Sequence, residues 1–177
     1  EKFGGGNDIV LASVSYALPD YVENLTLTGT DPLTGTGNSL KNTIIGNSGN
    51  NLIDGKGGAD TLTGLGGADT FRFSVKSSLF LTNNATHITD FSSAEHDIIQ
   101  IDKNAFGITS SVVTLSVIRD SNDLKTASTG SSMFVYDQSS GNLYWNQNGS
   151  ASGFGSGGIF AVLDNKASLT ASNISLI

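Results

Sequence analysis

A nine-residue period in residues 37–72 restricts the fold of this chain more than any other feature. A polar residue with a side-chain oxygen returns at every ninth position, as Asn42, Asn51, Asp60 and Asp69. Each of these is followed two residues later by a large apolar residue and preceded five residues earlier by a glycine. The apolar residues are Ile44, Ile53, Leu62 and Phe71, and the glycines are Gly37, Gly46, Gly55 and Gly64. A repeat of this length indicates stacked units, and a nonapeptide unit is typical of a β-solenoid.

Each unit divides into a turn and a short strand. Glycines stand where a tight turn needs left-handed backbone, and the last three residues of a unit alternate polar and apolar side chains. The apolar residue then points between two sheets and forms the core of a thin solenoid. The alternative is a flexible Gly/Asn linker without function. A linker does not need a periodic apolar position, so the solenoid is favoured.

The turns carry oxygen atoms of the kind that calcium prefers. Calcium takes about six to eight oxygen ligands, more than one such turn supplies, so a second stacked turn must complete the shell. If two units make one coil, the turn ending at Asn42 faces the turn ending at Asp60. By the same offset Asn51 faces Asp69. We therefore predict about two calcium ions within residues 37–72, one at each edge, with weaker binding where Asn replaces Asp. The candidate metal-binding residues of the array are Asn42, Asn51, Gly55, Gly57, Asp60, Gly64, Gly66 and Asp69.

Charge and composition exclude several classes of function. The net charge is −7, and the nine Lys and Arg residues are not clustered, so the basic surface that nucleic-acid binding needs is missing. No apolar run approaches the roughly 18 residues that a membrane-spanning helix needs. The chain has no cysteine, which leaves neither a disulfide framework nor a thiolate metal site.

The sequence shows no catalytic constellation. His87 and His96 lack the spacing of a paired metal-binding motif and are predicted to be surface or strand residues. Residues 153–158 match G-x-G-x-x-G but precede a predicted strand instead of opening a helix, so we predict a loop. We therefore expect no enzyme active site in this chain, and any catalytic domain would lie upstream of residue 1.

The repeat resembles the RTX (repeats-in-toxin) family, the hemolysin-type calcium-binding repeats of secreted bacterial proteins. The resemblance implies an all-β fold, with a parallel β-roll (a nonapeptide β-solenoid) in residues 1–72 and an antiparallel β cap in residues 73–177. Residues 12–36 break the period and are predicted as a non-canonical insert that continues the solenoid without a metal site, with a strand at Leu25–Thr28. The fragment Gly4–Val10 fits the repeat template and indicates an array that continues upstream.

A second stretch extends the resemblance beyond the array. Residues 88–101 are similar to the segment that follows the repeats in RTX proteases and alginate epimerase modules. This similarity implies a terminal calcium site that uses Asp90. The family often has another Asp where this chain has Thr86.

The resemblance also implies export by a type I secretion system, which reads an uncleaved C-terminal signal on an unfolded chain. Residues 169–177, small hydroxyl residues followed by apolar ones without charge, suit such a signal. The alternative is a last β-strand at Asn173–Ile177. Scarce cytosolic calcium would leave the chain unfolded, and extracellular calcium would fold it, because extracellular modules bind with Kd values of roughly 10⁻⁴–10⁻³ M. The predicted function is a calcium-binding module of a larger secreted or cell-surface protein, with calcium as a structural ion.

Residues 73–177 are predicted to form short strands. Residues 132–146 predict a hairpin with its turn at Gln138–Gly141, and Ile159–Leu163 predicts a partner strand. A short helix is predicted at Asp102–Phe106. The alternative function is calcium-dependent binding of a polysaccharide or a cell surface, although alternate aromatic residues of a hairpin more often fill a core. The rings that would stack on a sugar are Tyr136, Tyr144 and Trp145.

Overall fold

A computed structural model describes residues 6–75, 84–149 and 151–177 of the chain. The strands of the first part are β1 (Ile9–Ala12), β2 (Tyr16–Ala17), β3 (Asn24–Leu27), β4 (Thr34–Thr36), β5 (Thr43–Ile45), β6 (Leu52–Asp54), β7 (Thr61–Thr63) and β8 (Thr70–Phe73). Those of the second part are β9 (Thr86–Ile88), β10 (Ile98–Ile101), β11 (Leu115–Ile118), β12 (Phe134–Asp137), β13 (Asn142–Trp145), β14 (Gly158–Leu163) and β15 (Ile174–Leu176). Two short helices, α1 (Lys103–Phe106) and α2 (Leu124–Ala127), interrupt the strands.

Consecutive strands of the repeat alternate between two sheets, which is the arrangement of a β-roll. One sheet has the order β1-β3-β5-β7-β9-β14-β13-β12-β11, and the other has the order β15-β10-β8-β6-β4-β2. In the first sheet Ile44 pairs with Leu62 in parallel, two repeat units further along the chain. In the second, Ile53 pairs with Phe71 at the same offset. The predicted fold, a parallel β-roll of two units per coil, is confirmed.

The apolar residue of each repeat forms the core between the two sheets. Each of these side chains is fully buried, and they are Ile44, Ile53, Leu62 and Phe71. Each such burial stabilises the fold by about 1.5–3 kcal/mol. The alternating pattern of buried and half-buried residues in β5 and β7 follows from the two-residue period of a strand, which sends Thr43, Thr61 and Thr63 to the outer face.

The insert continues the roll, as predicted. Strand β3 covers Asn24–Leu27, close to the predicted Leu25–Thr28, and pairs in parallel with β1 and β5. In β4 a glycine takes the inward position, because a Cβ on Gly35 would lie 3.2 Å from Cγ2 of Ile44. The predicted repeat fragment at Gly4–Val10 lies partly outside the described residues, and its Ile9 and Val10 belong to β1.

Parallel pairing also continues beyond residue 72. Strand β9 pairs with β7, and β10 pairs with β8. The last strand, β15, pairs in parallel with β10, which confirms that the end of the chain folds as a strand. A division into two domains at residue 72 stays a prediction.

The antiparallel part of the cap consists of β12, β13 and β14. Strands β12 and β13 form the predicted hairpin around residues 138–141, and β14 is its predicted partner. Strand β14 also pairs in parallel with β9, which joins the cap to the roll. The predicted helix is found as α1, where the Asp102 side chain caps the N-terminus and Gly107 ends the helix with left-handed φ.

Aromatic side chains seal the end of the roll. Phe160 contacts Phe73 edge to face, with ring centroids 5.0 Å apart, and Phe106 contacts Trp145 in the same way at 5.5 Å. The three rings considered for sugar stacking are 0 % (Tyr136), 7 % (Tyr144) and 4 % (Trp145) exposed. They therefore fill the core, as hairpin aromatics more often do.

His87 lies in β9 and is part of the surface, as predicted. Its Nδ1 is 2.6 Å from Oδ1 of Asp164, and both side chains are substantially exposed. His96 is exposed as well. Within the described residues no helix is long and apolar enough to cross a membrane.

Candidate metal centre

Each strand of the array follows a turn, and the turns are of two kinds. We call residues 37–42 and 46–51 the Asn turns, and residues 55–60 and 64–69 the Asp turns. In the Asp turns the second residue has left-handed backbone, with φ 65° at Lys56 and 71° at Leu65. The fourth residue has positive φ as well, 118° at Gly58 and 109° at Gly67. When the sign of φ alternates along the backbone, successive carbonyl and N–H groups point in different directions. A turn with this backbone is able to surround an ion.

Among the carboxylates of the array, Asp60 has the most strongly raised pKa. It is 1 % exposed, and its Oδ1 accepts a hydrogen bond of 2.9 Å from the backbone N–H of Asn42 in the preceding coil. Its Oδ2 is buried and has no hydrogen-bond partner. Burial raises the pKa of Asp60 to about 7, although the Asn42 N–H lowers it. A buried, unpartnered carboxylate oxygen fits a bound cation, because a cation would neutralise the charge that burial penalises.

Asp69 repeats this geometry at the opposite edge of the roll. Its Oδ1 accepts a hydrogen bond of 2.7 Å from the N–H of Asn51. Burial raises the pKa of Asp69 to about 6, against the lowering effect of the Asn51 N–H. The negative charges of Asp97, Asp90 and Glu95 raise this pKa further. The stacking of Asn42 on Asp60 and of Asn51 on Asp69, predicted from the period, is confirmed by these bonds.

Asp97 extends the stack and was not among the candidate residues. Its Oδ1 accepts a hydrogen bond of 2.8 Å from the N–H of Asp69, as Asp69 does from Asn51. Its side chain is buried, and burial raises its pKa. A signal was present in the sequence, since Asp97 precedes the core residue Ile99 by two positions, as Asp69 precedes Phe71. The longer, irregular spacing from Asp69 hid it.

Asp90 lies against the second Asp turn. Its two carboxylate oxygens accept hydrogen bonds from the backbone N–H groups of Gly64 (2.9 Å) and Leu65 (2.8 Å). Asp90 therefore holds the start of the turn 64–69 and adds negative charge beside Asp69. Its part in a terminal calcium site stays a prediction.

The glycines that open the turns let the turns close and stack. A Cβ on Gly55 would collide with Oδ2 of Asp60, and one on Gly64 would collide with Oδ2 of Asp69. A Cβ on Gly37 would lie 2.6 Å from the carbonyl oxygen of Gly55 in the next coil. The carbonyl oxygen of one turn thus lies close to the backbone of the turn stacked on it. Gly57 and Gly66, also predicted as ligands, lie in more open positions, where the nearest atoms to a Cβ are 3.8 and 3.9 Å away.

Acidic side chains alone do not make the site. In the described ranges no group of three or more His, Cys, Asp or Glu side chains is arranged to hold a metal ion. Since calcium accepts backbone carbonyl oxygens as ligands, carbonyls of two stacked turns together with Asp60 or Asp69 offer the right chemistry.

Residues 36–71 match the model of the RTX calcium-binding nonapeptide repeat, in four copies. A search of curated proteins found no match to the chain. The matched segment covers both Asn turns and both Asp turns. These four units match a calcium-binding repeat, and the metal that they bind is Ca²⁺.

Proposed function

We propose that this chain is the calcium-folded module of a larger secreted protein, in which calcium is a structural ion. The observation that carries this proposal is the buried carboxylate of Asp60, whose Oδ2 has no partner and whose pKa is raised to about 7. Asp69 and Asp97 are buried as well, and the Oδ1 of each accepts a hydrogen bond from the backbone N–H of the residue stacked on it, Asn51 and Asp69 respectively. Ions between the turns 37–42 and 55–60, and between 46–51 and 64–69, would each be held by one of these carboxylates and by backbone carbonyls.

The charge of the Asp turns couples calcium to folding. Without calcium, stacking these turns buries carboxylates that solvent would otherwise stabilise, and it orders glycine-rich backbone at an entropic cost. An ion that binds only the folded state shifts the equilibrium by mass action. The part of the roll that contains the Asp turns would then remain unfolded where calcium is scarce and fold where calcium is abundant.

Circular dichroism and calorimetry test this proposal. The calcium-depleted chain should gain its native β-sheet signal on titration with calcium, and the double variant Asp60→Ala/Asp69→Ala should lose most calcium uptake. The matched control replaces two exposed aspartates outside the turns, Asp20→Ala and Asp31→Ala, and should bind as the wild type does. Full native signal in excess chelator, or unchanged stoichiometry in the double variant, would contradict the proposal.

We propose further that residues 169–177 carry the signal for a type I exporter, which places the protein outside the cell. The segment is uncharged and rich in small hydroxyl residues, and part of it becomes β15 after folding. A signal that is read on the unfolded chain and a strand that forms afterwards are compatible. Deletion of residues 169–177 should abolish export from a host with a matching exporter. The variant Ile174→Ala, which weakens the packing of the strand but keeps the segment, should still be exported.

A further inference from the structure

The Asn turns do not have the backbone of the Asp turns. None of the corresponding second and fourth residues has positive φ, and all of them lie in the described part of the chain. These residues are Asn38, Leu40, Asn47 and Gly49. Four copies of one repeat therefore adopt two different turn conformations, and only the Asp turns have the alternating backbone hand.

In the first Asn turn, asparagine amides make the contacts between coils. The Nδ2 group of Asn38 donates to the carbonyl oxygens of Pro19 and Val22 in the preceding coil, each at 2.8 Å. Its Oδ1 accepts from the N–H of Leu40, and its own N–H donates to Oδ1 of Asn42. The Nδ2 group of Asn42 also reaches the carbonyl of Val22, at 3.2 Å.

The second Asn turn repeats the arrangement at the other edge. The Nδ2 group of Asn47 donates to the carbonyl of Asp31 at 3.0 Å and to that of Thr28 at 3.4 Å. The N–H of Gly49 donates to Oδ1 of Asn47, and the N–H of Asn47 donates to Oδ1 of Asn51. Asn47 and Asn51 are both buried. In the Asp turns the positions of Asn38 and Asn47 are taken by the exposed residues Lys56 and Leu65.

An amide NH₂ group and a calcium ion can serve the same purpose here, because both bind several carbonyl oxygens of neighbouring turns. The amide is part of the chain and carries no net charge, so it needs no external ion and leaves no buried carboxylate to neutralise. We propose that the side-chain amides of Asn38, Asn42 and Asn47 replace calcium between the Asn turns and the preceding coil, residues 19–31.

The roll is then divided into two parts with different requirements. The calcium-independent part contains β3 and β5 of one sheet and β4 of the other, and its core residues include the fully buried Leu25 and Ile44. The calcium-dependent part begins at the Asp turns and contains β7, β8 and β10. Because each coil of a solenoid contacts mainly its neighbours, one part can stay folded while the other opens. The first part supplies a preformed edge on which calcium orders the second. This inference rests on the proposed calcium-dependent folding.

Hydrogen exchange of the full chain, read by mass spectrometry with and without excess chelator, tests the division. On chelation, the amides of residues 61–63, 70–73 and 98–101 should lose protection by about tenfold or more, while those of residues 24–27 and 43–45 keep most of theirs. Uniform loss of protection along the roll would overturn the inference and leave calcium-dependent folding intact. No change on chelation anywhere, together with no calcium uptake, would overturn the proposed function itself.

Variants at one repeat position provide the matched comparison. Asn38→Ala and Asn47→Ala should reduce the protection of residues 24–27 and 43–45 both with and without calcium. Lys56 and Leu65 are the exposed residues at the same position of the Asp turns. Lys56→Ala and Leu65→Ala should therefore leave the protection of residues 24–27 and 43–45 unchanged. If Asn38→Ala does not fold, the wild-type exchange pattern in chelator still decides the question. Equal effects of the asparagine variants and their controls would contradict the role of the amides.

Discussion

The Asn turns and the Asp turns occupy equivalent positions in one repeat and close in different ways. In the Asn turns, Asn38 and Asn47 donate to carbonyl oxygens of the preceding coil, so the polar groups are satisfied by the chain itself. In the Asp turns the corresponding positions are exposed, and the carboxylate of Asp60 is buried with one unpartnered oxygen. Asn and Asp differ little in size, but only Asn carries a donor and only Asp carries a charge. That difference separates a turn that is complete in itself from one that is completed by an ion.

The largest expected difference between the two kinds of turn is in their response to pH. Burial raises the pKa of Asp60 to about 7 and that of Asp69 to about 6, both from 3.8, whereas the asparagines do not titrate. A folded-state pKa above the unfolded value means that the folded state binds more protons between these values. The contribution of Asp60 and Asp69 to the stability of calcium-free protein should therefore be largest below about pH 4 and fall as the pH rises to about 7.

Urea unfolding of calcium-depleted protein between pH 4 and 8 measures this dependence. Acid should partly replace calcium in the Asp turns, because a proton also removes the buried charge. The control variant Asp60→Asn/Asp69→Asn should show a much flatter dependence. Stability that rises with pH over this range would contradict the raised pKa values.

Two core substitutions compare the packing of the two parts. Ile44→Ala and Leu62→Ala each remove a fully buried side chain and should each cost about 2–5 kcal/mol in calcium. At neutral pH in chelator, Ile44→Ala should still lower the free energy of unfolding. Leu62→Ala should have little further effect there, since its part of the roll is already open. Equal effects in chelator would remove the distinction between the two parts.

Glycine substitutions test the backbone of the Asp turn. Gly58→Ala places a side chain at φ 118° and against the carbonyl oxygen of Leu40, so it should cost about 1–3 kcal/mol and weaken calcium binding. Gly57→Ala is the control within the same turn, because a Cβ there meets no atom closer than 3.8 Å. Thermal unfolding in calcium should separate the two variants. Similar melting temperatures would show that the left-handed backbone is not needed.

The smallest effect is expected for Asn51→Asp, which converts one residue of an Asn turn. In chelator it should cost on the order of 1 kcal/mol, because Asp lacks the donor that Asn51 offers to Oδ1 of Asn47 at 3.0 Å. In calcium the added charge beside Asp69 should strengthen ion binding and recover part of this loss. Asn104→Asp, an exposed site in α1, is the control and should be neutral in both conditions. Urea unfolding in chelator measures the loss of stability, and calorimetric titration with calcium measures the gain in ion binding.

The sequence alone determined the β-roll, the pairing of its turns and the core residues. These features depend on residues at a fixed period: the apolar residue of every unit must face inward, and a coil of two units brings turns of known numbers together. The hairpin around residues 138–141 and the capped helix α1 were also predicted, since both depend on neighbouring residues.

Only the tertiary structure decided which groups complete each turn. Asn38 bonds to carbonyls of Pro19 and Val22 in an insert without the period, and Asp69 is stacked on Asp97 across an irregular segment. Asn42 and Asn51 match the repeat as ligands, yet their amides are engaged within their turns and, for Asn42, with the preceding coil. A period specifies which repeats stack on each other. It does not specify the hydrogen bonds to segments of irregular length, because these contacts arise only when the chain is folded.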